Sequence, residues 1–217
     1  MLYEPLKRTI DALGSFILLI IFSPVIIATT LAIKFTSPGP VLVEKSNAHM
    51  RRMGKNGRIF RLYKFRSMPV NADILEKTDP KYRLAYVEKH KSGSYKSKND
   101  PRITPVGRFI RKHSLDEVPQ LLNVLRGEMS IVGPRPYLPE ELSEQQRKFP
   151  GTEGFVKEML TVKPGITGFW QVSGRSEVSF DKRIEMDAYY ARKKSLILDF
   201  LILLKTPVVM ITGKGAA

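Results

Sequence analysis

R-K-H-S-L-D-E-V-P-Q-L-L-N-V-L-R-G-E-M-S-I-V-G-P-R-P, residues 111–136, says more about the fold and chemistry of this chain than any other stretch. Two adjacent carboxylates, Asp116 and Glu117, stand just before an apolar helical pattern. Pro119 suits a first helical position and Gly127 suits a helix stop. The pattern therefore predicts a short helix with both carboxylates at its entrance.

The carboxylate pair has two interpretations. An ionised aspartate is a nucleophile that needs no base, and arginines on both sides suit a substrate that carries phosphate. However, Ser114 with Glu117 three residues later is also a capping-box pattern, and acids are favoured in any first helical turn. The residues alone favour capping, because such caps are common, and they leave catalysis open.

The composition narrows the class of protein. At 217 residues the chain has room for one domain with a proper core, and a formal charge of +15 favours an anionic partner. The absence of cysteine excludes disulfides, thiolate catalysis and cysteine zinc sites. His49, His90 and His113 lack ligand spacing, which argues against a transition-metal site and leaves a hard, oxygen-bound ion such as Mg²⁺ open.

An uncharged apolar run lies between Asp11 and Lys34. As a straight helix it would extend roughly 33 Å, enough to cross a bilayer core. Ser23 and Pro24 interrupt it at the middle, where proline removes a backbone hydrogen bond and bends a helix. Basic residues flank both ends: Lys7 and Arg8 before the run, and Lys34, Lys45, Arg51 and Arg52 after it. Because basic residues prefer the cytoplasmic side, a hairpin that enters and leaves by one face fits, and so does a kinked span.

The next part of the chain reads as turns and short strands. T-S-P-G-P at residues 36–40 predicts a turn that ends the membrane segment. Residues 41–45 and 59–65 predict two strands of a hairpin around the basic turn R-R-M-G-K-N-G-R. Residues 71–99 are highly charged and predict a helix followed by a mobile, mostly solvated loop.

The remainder of the chain predicts helices separated by one irregular segment. Residues 139–148 and 181–194 have helical composition, whereas residues 163–176 are too rich in glycine for regular structure. Residues 196–211 are apolar but contain Asp199, Lys205 and Pro207, which predicts packing on the core or at a membrane interface. Neither an internal repeat nor a second domain is indicated.

Taken together, these features resemble the monotopic phosphoglycosyl transferases, the bacterial sugar transferases that start lipid-linked glycan assembly. The matching pieces occur in order: the apolar run with Ser23-Pro24, K-F-R-S-M at 64–68, residues 111–136, P-G-I-T-G-F-W-Q-V-S-G-R at 164–175, and T-G-K-G at 212–215. The resemblance covers nearly the whole chain except about residues 71–98. The resemblance implies the catalytic unit of the family, with no extra N-terminal membrane domain expected.

The resemblance implies a mostly helical α+β fold. Residues 1–36 would form a re-entrant membrane helix hairpin broken at Ser23-Pro24. Residues 37–217 would form a small catalytic domain with amphipathic interfacial helices, on the cytosolic face of the bacterial inner membrane. The active site would then reach both a lipid phosphate at the interface and a nucleotide sugar in the cytosol.

The resemblance also implies a reaction, in which a sugar 1-phosphate passes from a UDP-sugar to undecaprenyl phosphate and UMP leaves. Asp116 would be the covalent nucleophile and a Mg²⁺ ligand, with Glu117 as its dyad partner. Arg111 and Arg135 are the candidate cationic clamp on the diphosphate. Lys64 and Arg66 are candidates for the lipid phosphate, and Arg175 for a nucleotide phosphate. Each arginine also has an interpretation as a surface ion pair, and the segment at 165–175 as a connector with Trp170 packed in the core.

Two rival functions are compatible with parts of the sequence. A membrane-anchored basic protein that binds nucleic acid or acidic polymer would explain the charge but not the carboxylate pair; no nucleic acid partner is expected. A phosphohydrolase would use the same aspartyl phosphate with water as the acceptor. The sequence does not fix the sugar, the product glycan (capsule, exopolysaccharide, O-antigen or glycoprotein) or the oligomeric state, and a homo-oligomer is compatible with it.

Overall fold

The computed structural model describes residues 2–43, 47, 50–70, 72, 74, 78–80, 83, 100–174 and 178–212, with the backbone alone for 210–212. Its elements are, in chain order, α1 (Tyr3–Ile21), α2 (Ser23–Thr36), β1 (Arg51–Met53), β2 (Ile59–Arg61), α3 (Pro105–Lys112), α4 (Gln120–Leu125), β3 (Ser130–Val132), α5 (Pro139–Lys148), α6 (Glu153–Met159), β4 (Gly165–Thr167), α7 (Phe169–Ser173), α8 (Phe180–Lys193) and α9 (Leu196–Thr212). Helices dominate and the sheets are small, which confirms the predicted α+β, mostly helical class.

The chain divides into two compact units. The first unit contains Met1–Phe22, Lys45–Tyr63 and Pro119–Ala216, and the second contains Ser23–Glu44 and Lys64–Val118. The predicted division into a membrane anchor at 1–36 and a catalytic domain at 37–217 is functional, and it stays a prediction.

The predicted hairpin is present, but its first strand is wrong. Arg51–Met53 pairs antiparallel with Ile59–Arg61, so three residues of the predicted turn are strand. Asn56 and Gly57 supply the positive φ values, 56° and 75°, that let the chain reverse between the strands. In the predicted strand at 41–45, Leu42 forms an isolated bridge to Phe65, flanked by main-chain hydrogen bonds from Val43 to Lys64 and from Arg66 to Val41. Residues 44 and 45 lie outside the described residues.

The segment at 163–176 contains regular structure, contrary to the prediction. Gly165–Thr167 forms β4, which pairs in parallel with β3, and Phe169–Ser173 forms the short helix α7. Gly133 and Gly165 permit this pairing, because a Cβ on Gly165 would lie 2.1 Å from the Gly133 nitrogen. Glycine is thus required by close packing of the two strands rather than by irregularity.

The predicted helices at 139–148 and 181–194 are confirmed as α5 and α8. Both pack on the core of the first unit, in which Tyr137, Leu142, Val156, Met159, Phe180 and Ile184 form one buried cluster. A second cluster holds Val132, Val162, Tyr190, Ala191 and Ile202. Most of the predicted helix and loop at 71–99 lies outside the described residues.

Helix α1 and, to a lesser extent, helix α9 bury polar residues and expose large apolar ones, which is the reverse of the pattern on a water-soluble domain. The buried residues of α1 are Asp11 and Ser15, whereas Phe16, Ile17 and most of its other large apolar side chains are exposed. On α9, Asp199 is buried while Ile197, Phe200, Leu204 and Val208 are exposed. Large exposed apolar faces of this kind are typical of a surface that meets lipid or another protein.

The chain bends by 60° where α1 meets α2. The break falls at Phe22, immediately before the predicted Ser23-Pro24 interruption, and Pro24 cannot supply the amide hydrogen that a continuous helix needs there. No single described helix has the length and apolar composition to cross a bilayer, although the bent pair passes that test when taken together. The break is therefore confirmed, and insertion into a membrane is a proposal.

Candidate active site

The carboxylate pair lies in a tight turn between two helices of the chain. Thr104 caps the start of helix α3, because its Oγ1 accepts a hydrogen bond of 2.9 Å from the Gly107 amide. After α3 ends, Ser114 adopts a left-handed conformation with a φ of 55°, and Leu115–Glu117 form one 3₁₀ turn. Helix α4 follows from Gln120, so the predicted position of the carboxylates before this helix is confirmed.

The predicted cap at Ser114 is wrong. Its side chain makes no capping hydrogen bond, whereas its main-chain oxygen accepts the Glu117 amide at 3.2 Å. A capping residue normally has an extended backbone, and the left-handed backbone of Ser114 is incompatible with that arrangement. The capping box is thereby excluded, although both acids still lie in the first turn of the 3₁₀ helix.

Asp116 is buried and has Lys64 as a cationic partner. Only 3% of the residue is exposed, and its Oδ2 lies 2.8 Å from Nζ of Lys64. The same ammonium is 3.7 Å from Oε1 of Glu117. Because a buried carboxylate is costly without a partner, Lys64 is the group that makes this position tolerable for Asp116.

The backbone of K-F-R-S-M holds Lys64 against the turn. The amide of Phe65 donates a hydrogen bond of 2.9 Å to the main-chain oxygen of Asp116. The Phe65 side chain is 3% exposed and packs with Ile33 and Ile110 in the core of the second unit. The relative position of Lys64 and Asp116 is thus fixed by a buried aromatic anchor and a main-chain hydrogen bond, in addition to the ion pair.

Arg66 supports a turn in the structure. Its guanidinium donates to the main-chain oxygens of Pro38 and Ser37, the latter at 2.7 Å, and the residue is 6% exposed. Burial lowers the pKa of the Arg66 guanidinium. Gly39, with a φ of 108°, leaves room for it, since a Cβ there would lie 2.6 Å from the nearest guanidinium nitrogen. The assignment of Arg66 to the lipid phosphate stays a prediction.

Arg111 and Arg135, the predicted clamp, lie in different units. Arg111 stands in the last turn of α3 in the second unit, half-buried, and its guanidinium has no hydrogen bond or ion pair among the described residues. In the first unit, Arg135 lies over the Tyr137 ring at 5.9 Å, and its amide donates to Oδ2 of Asp187 at 3.4 Å. Their joint action on one substrate stays a prediction.

Arg175, the predicted nucleotide-phosphate ligand, lies outside the described residues. Trp170, in the same segment, is 6% exposed and has the Arg183 guanidinium 5.0 Å from its ring centre. The alternative in which Trp170 packs in the core is therefore confirmed. A nucleotide cradle formed by residues 165–175 stays a prediction.

The donor set is compatible with magnesium that arrives with a substrate. Among the described residues there is no group of three acidic, histidine or cysteine side chains that could hold a metal ion. Asp116 and Glu117 offer two carboxylates, and Mg²⁺ is commonly bound through one or two carboxylates together with substrate phosphates. These two carboxylates therefore fit an ion that is shared with a substrate diphosphate, and magnesium stays a prediction.

Several partners in this structure could not be inferred from the sequence. The pairing of Lys64 with Asp116 is one, since K-F-R-S-M gives no sign of what its lysine contacts. Another is Asp199, which accepts hydrogen bonds from Tyr190 and Tyr3 at 2.6 Å and 3.1 Å and pairs with Lys7 at 3.0 Å. A charge within an apolar helical pattern was the available signal for Asp199.

Comparisons with known proteins match this chain to bacterial sugar transferases. A family model described as bacterial sugar transferase matches residues 2–213. The undecaprenyl-phosphate galactose phosphotransferase of Salmonella typhimurium strain LT2 is 44% identical over 212 residues, which is 97% of this chain and 41% of that protein. The UDP-glucose:undecaprenyl-phosphate glucose-1-phosphate transferase of Escherichia coli K12 is 38% identical over 97% of this chain and 41% of that protein.

A shorter relative matches over most of its own length. The exopolysaccharide production protein ExoY of Rhizobium meliloti is 39% identical over 211 residues, which is 97% of this chain and 87% of that protein. By contrast, the chain spans about two fifths of the length of the Salmonella and Escherichia proteins.

Proposed function

The chain belongs to the bacterial sugar transferase family, and we propose that it transfers a sugar 1-phosphate from a UDP-sugar to undecaprenyl phosphate. The products are undecaprenyl diphosphate-sugar and UMP. Two relatives are named for this type of transfer, one with galactose and one with glucose. The observation that carries the proposal is the buried Asp116 carboxylate with its Lys64 partner at 2.8 Å.

The transfer takes place in two displacements at one phosphorus atom. In the first, a carboxylate oxygen of Asp116 attacks the sugar-side phosphorus of the UDP-sugar. The bond from that phosphorus to the bridging oxygen breaks, and UMP leaves with that oxygen. In the second, an oxygen of undecaprenyl phosphate attacks the same phosphorus, and the bond to Asp116 breaks. One phosphoanhydride replaces another, so the overall equilibrium is close to balanced.

The barrier to this reaction comes mainly from repulsion between anions, and cations at the site reduce it. Lys64 fixes Oδ2 of Asp116, so that Oδ1 is the oxygen without a partner among the described residues. Lys64 also offsets negative charge when a diphosphate approaches. Magnesium, bound through Asp116, Glu117 and the substrate diphosphate, would supply further neutralisation of the diphosphate charge.

Membrane attachment follows from the nature of the lipid acceptor. The bent α1–α2 pair and the exposed apolar faces of α1 and α9 support a re-entrant anchor with α9 lying at the interface. Basic residues flanking the apolar run and the net charge of +15 favour the cytosolic face of the inner membrane. The product would serve assembly of a surface glycan, such as exopolysaccharide or capsule.

The test is a UMP-release assay with the full chain in lipid nanodiscs that contain undecaprenyl phosphate. A panel of UDP-hexoses and UDP-N-acetylhexosamines identifies the donor. D116N abolishes release if Asp116 is the nucleophile, whereas E153Q, which neutralises an exposed acid at the start of α6, retains it. UMP release that continues without undecaprenyl phosphate, at an unchanged steady rate, would indicate a hydrolase instead.

A further inference from the structure

A small cavity of about 40 Å³ in the first unit is lined by more cations than acids. Its charged lining residues are Glu4, Lys7, Arg8, Asp11, Lys163 and Lys194. A cavity of this size has room for more than a single water molecule. None of these residues has a part in the mechanism proposed above.

Three of the four cations have partners. Lys7 pairs with Asp11 at 3.4 Å and with Asp199 at 3.0 Å, and Lys194 pairs with Glu4. The guanidinium of Arg8 donates hydrogen bonds of 2.6 Å and 2.7 Å to the main-chain oxygens of Val124 and Leu125, at the end of α4. Apart from the Lys7–Asp11 pair, which lies within α1, these contacts tie α1 to other parts of the first unit.

Lys163 differs from the other three, because its ammonium has no hydrogen bond or ion pair among the described residues. Another cation, the Arg8 guanidinium, lies near it. A Cβ on Gly127 would lie 3.5 Å from Nζ of Lys163 and 3.6 Å from the central carbon of the Arg8 guanidinium. Partial burial, followed by the charge of Arg8, lowers the pKa of Lys163. The two cations thus lie beside the same glycine, and the Asp11 and Glu4 carboxylates, which also line the cavity, only partly oppose the lowering of the Lys163 pKa.

We propose that this cavity binds a phosphate group, which the Lys163 ammonium and the Arg8 guanidinium hold between them. A phosphate accepts several charge-assisted hydrogen bonds at once and removes the repulsion between the two cations. Arg8 has the capacity for this, because a guanidinium has five N–H donors and only some of them are used at Val124 and Leu125. Lys7 and Lys194 add positive charge at the rim of the cavity.

The phosphate comes from a lipid headgroup or from a free phosphate in solution. The first source is favoured by α1 itself, since the helix that carries Arg8 also exposes Leu6, Ile10 and Leu13. Acyl chains would contact these side chains while the headgroup enters the cavity. The site would then hold an anionic phospholipid beside the anchor.

Binding is measured by native mass spectrometry of the full chain in an uncharged detergent. The probes are phosphatidylglycerol, phosphatidylcholine with the same acyl chains, and inorganic phosphate. Relative to the native chain, we expect K163Q to bind phosphatidylglycerol about 10-fold more weakly, in keeping with the loss of a charge-assisted hydrogen bond. K163R retains binding, and so does K157Q, which removes an exposed lysine of α6 in the same unit.

The pattern among the probes identifies the source. Preference for phosphatidylglycerol, with no competition from millimolar inorganic phosphate, indicates a lipid headgroup; binding of inorganic phosphate with no preference for lipid indicates a soluble phosphate. Equal affinity of K163Q and K157Q for every probe overturns the proposal. Because binding is measured without turnover, failure of this site and failure of the catalytic proposal are distinguishable.

Thermal unfolding in a phosphate-free buffer with detergent distinguishes phosphate binding by Lys163 from a structural role of this residue. If Lys163 binds phosphate, K163Q is at least as stable as the native chain without phosphate, because one of two neighbouring like charges is gone. Added phosphatidylglycerol then raises the melting temperature of the native chain more than that of K163Q. An equal rise in both proteins overturns the proposal.

Discussion

Nζ of Lys64 lies 2.8 Å from Oδ2 of Asp116, which is 3% exposed. This contact joins two separate motifs of the chain, K-F-R-S-M and the carboxylate pair, within one compact unit. The assignment of Lys64 to the lipid phosphate stays a prediction. In the structure the ammonium of Lys64 forms an ion pair with the side chain proposed as the nucleophile.

Replacing Lys64 by methionine should lower the rate of UMP release about 100-fold, the usual cost of losing one electrostatic donor at a reacting centre. The variant should also lose about 1–3 kcal/mol of unfolding free energy, since the Asp116 carboxylate is left without its partner. K64R should retain more activity than K64M. The matched control is K112M, which removes an exposed lysine of the same unit. Equal activity of K64M and K112M would contradict this role.

Arg66 offers a test of structural support against phosphate binding. Because its guanidinium donates to the Ser37 and Pro38 oxygens, R66A should lose about 2 kcal/mol of unfolding free energy. R66K should lose nearly as much, since lysine cannot reproduce the planar fork of donors. R108K, at an exposed position of α3, should unfold like the native chain.

The two roles of Arg66 predict different results for R66K. Thermal unfolding gives the stability, and the KM for undecaprenyl phosphate gives the lipid contact. A fully stable R66K with an unchanged KM would argue against support of the turn and in favour of a simple requirement for charge.

Asp199 should be far more important for stability than Glu4, although each pairs with a lysine. Asp199 is 5% exposed and accepts hydrogen bonds from two tyrosines, so D199A should lose about 3–5 kcal/mol of unfolding free energy. The Glu4 side chain is 57% exposed in its pair with Lys194, so E4A should lose about 1 kcal/mol or less. Melting temperatures measured in the same detergent give the comparison, and similar losses for both variants would contradict it.

Asp187 predicts a pH dependence of stability. The residue is fully buried, and burial raises its pKa well above the ordinary value, although Arg135 opposes the shift. A folded-state pKa above the unfolded value of about 3.9 means that the native state binds the proton more tightly. The stability contributed by this group is therefore present at low pH and lost as the pH rises from the unfolded pKa through the folded pKa.

The isosteric variant D187N isolates this effect, because an amide does not titrate in this range. The melting temperature of D187N minus that of the native chain should increase as the pH is raised from 4 to 8. E153Q, which changes an exposed acid at the start of α6 to its amide, should follow the native chain across this range. A difference between D187N and the native chain that does not vary with pH would contradict the raised pKa of Asp187.

Local patterns predicted the parts of the fold that depend on neighbouring residues. The apolar run interrupted at Ser23-Pro24, the charged helix at 139–148 and the glycine stop after α4 are all confirmed. Features that depend on distant partners were missed. Gly165–Thr167 is a strand because it pairs with β3. Its own three residues show no alternation of apolar and polar side chains that would have predicted a strand.

The candidate site was predicted less completely than the fold. The motifs placed Asp116 and Glu117 together and before α4, but they did not show that Ser114 would be left-handed. Charged residues in an apolar pattern look alike whether they face solvent or a buried partner. Asp199 was therefore predicted only as a charge that interrupts an apolar helix, and Lys7 only as a basic residue that flanks the apolar run. In the structure they pair with each other in the first unit.

The most direct test of the catalytic account is intact-mass spectrometry of the full chain mixed with its UDP-sugar in the absence of undecaprenyl phosphate. A covalent sugar phosphate should appear on the protein, peptide mapping should place it on Asp116, and adding undecaprenyl phosphate should remove it. The adduct should be absent from D116N and present in E153Q. An adduct on a different residue, or release of UMP by D116N at the native rate, would contradict the account.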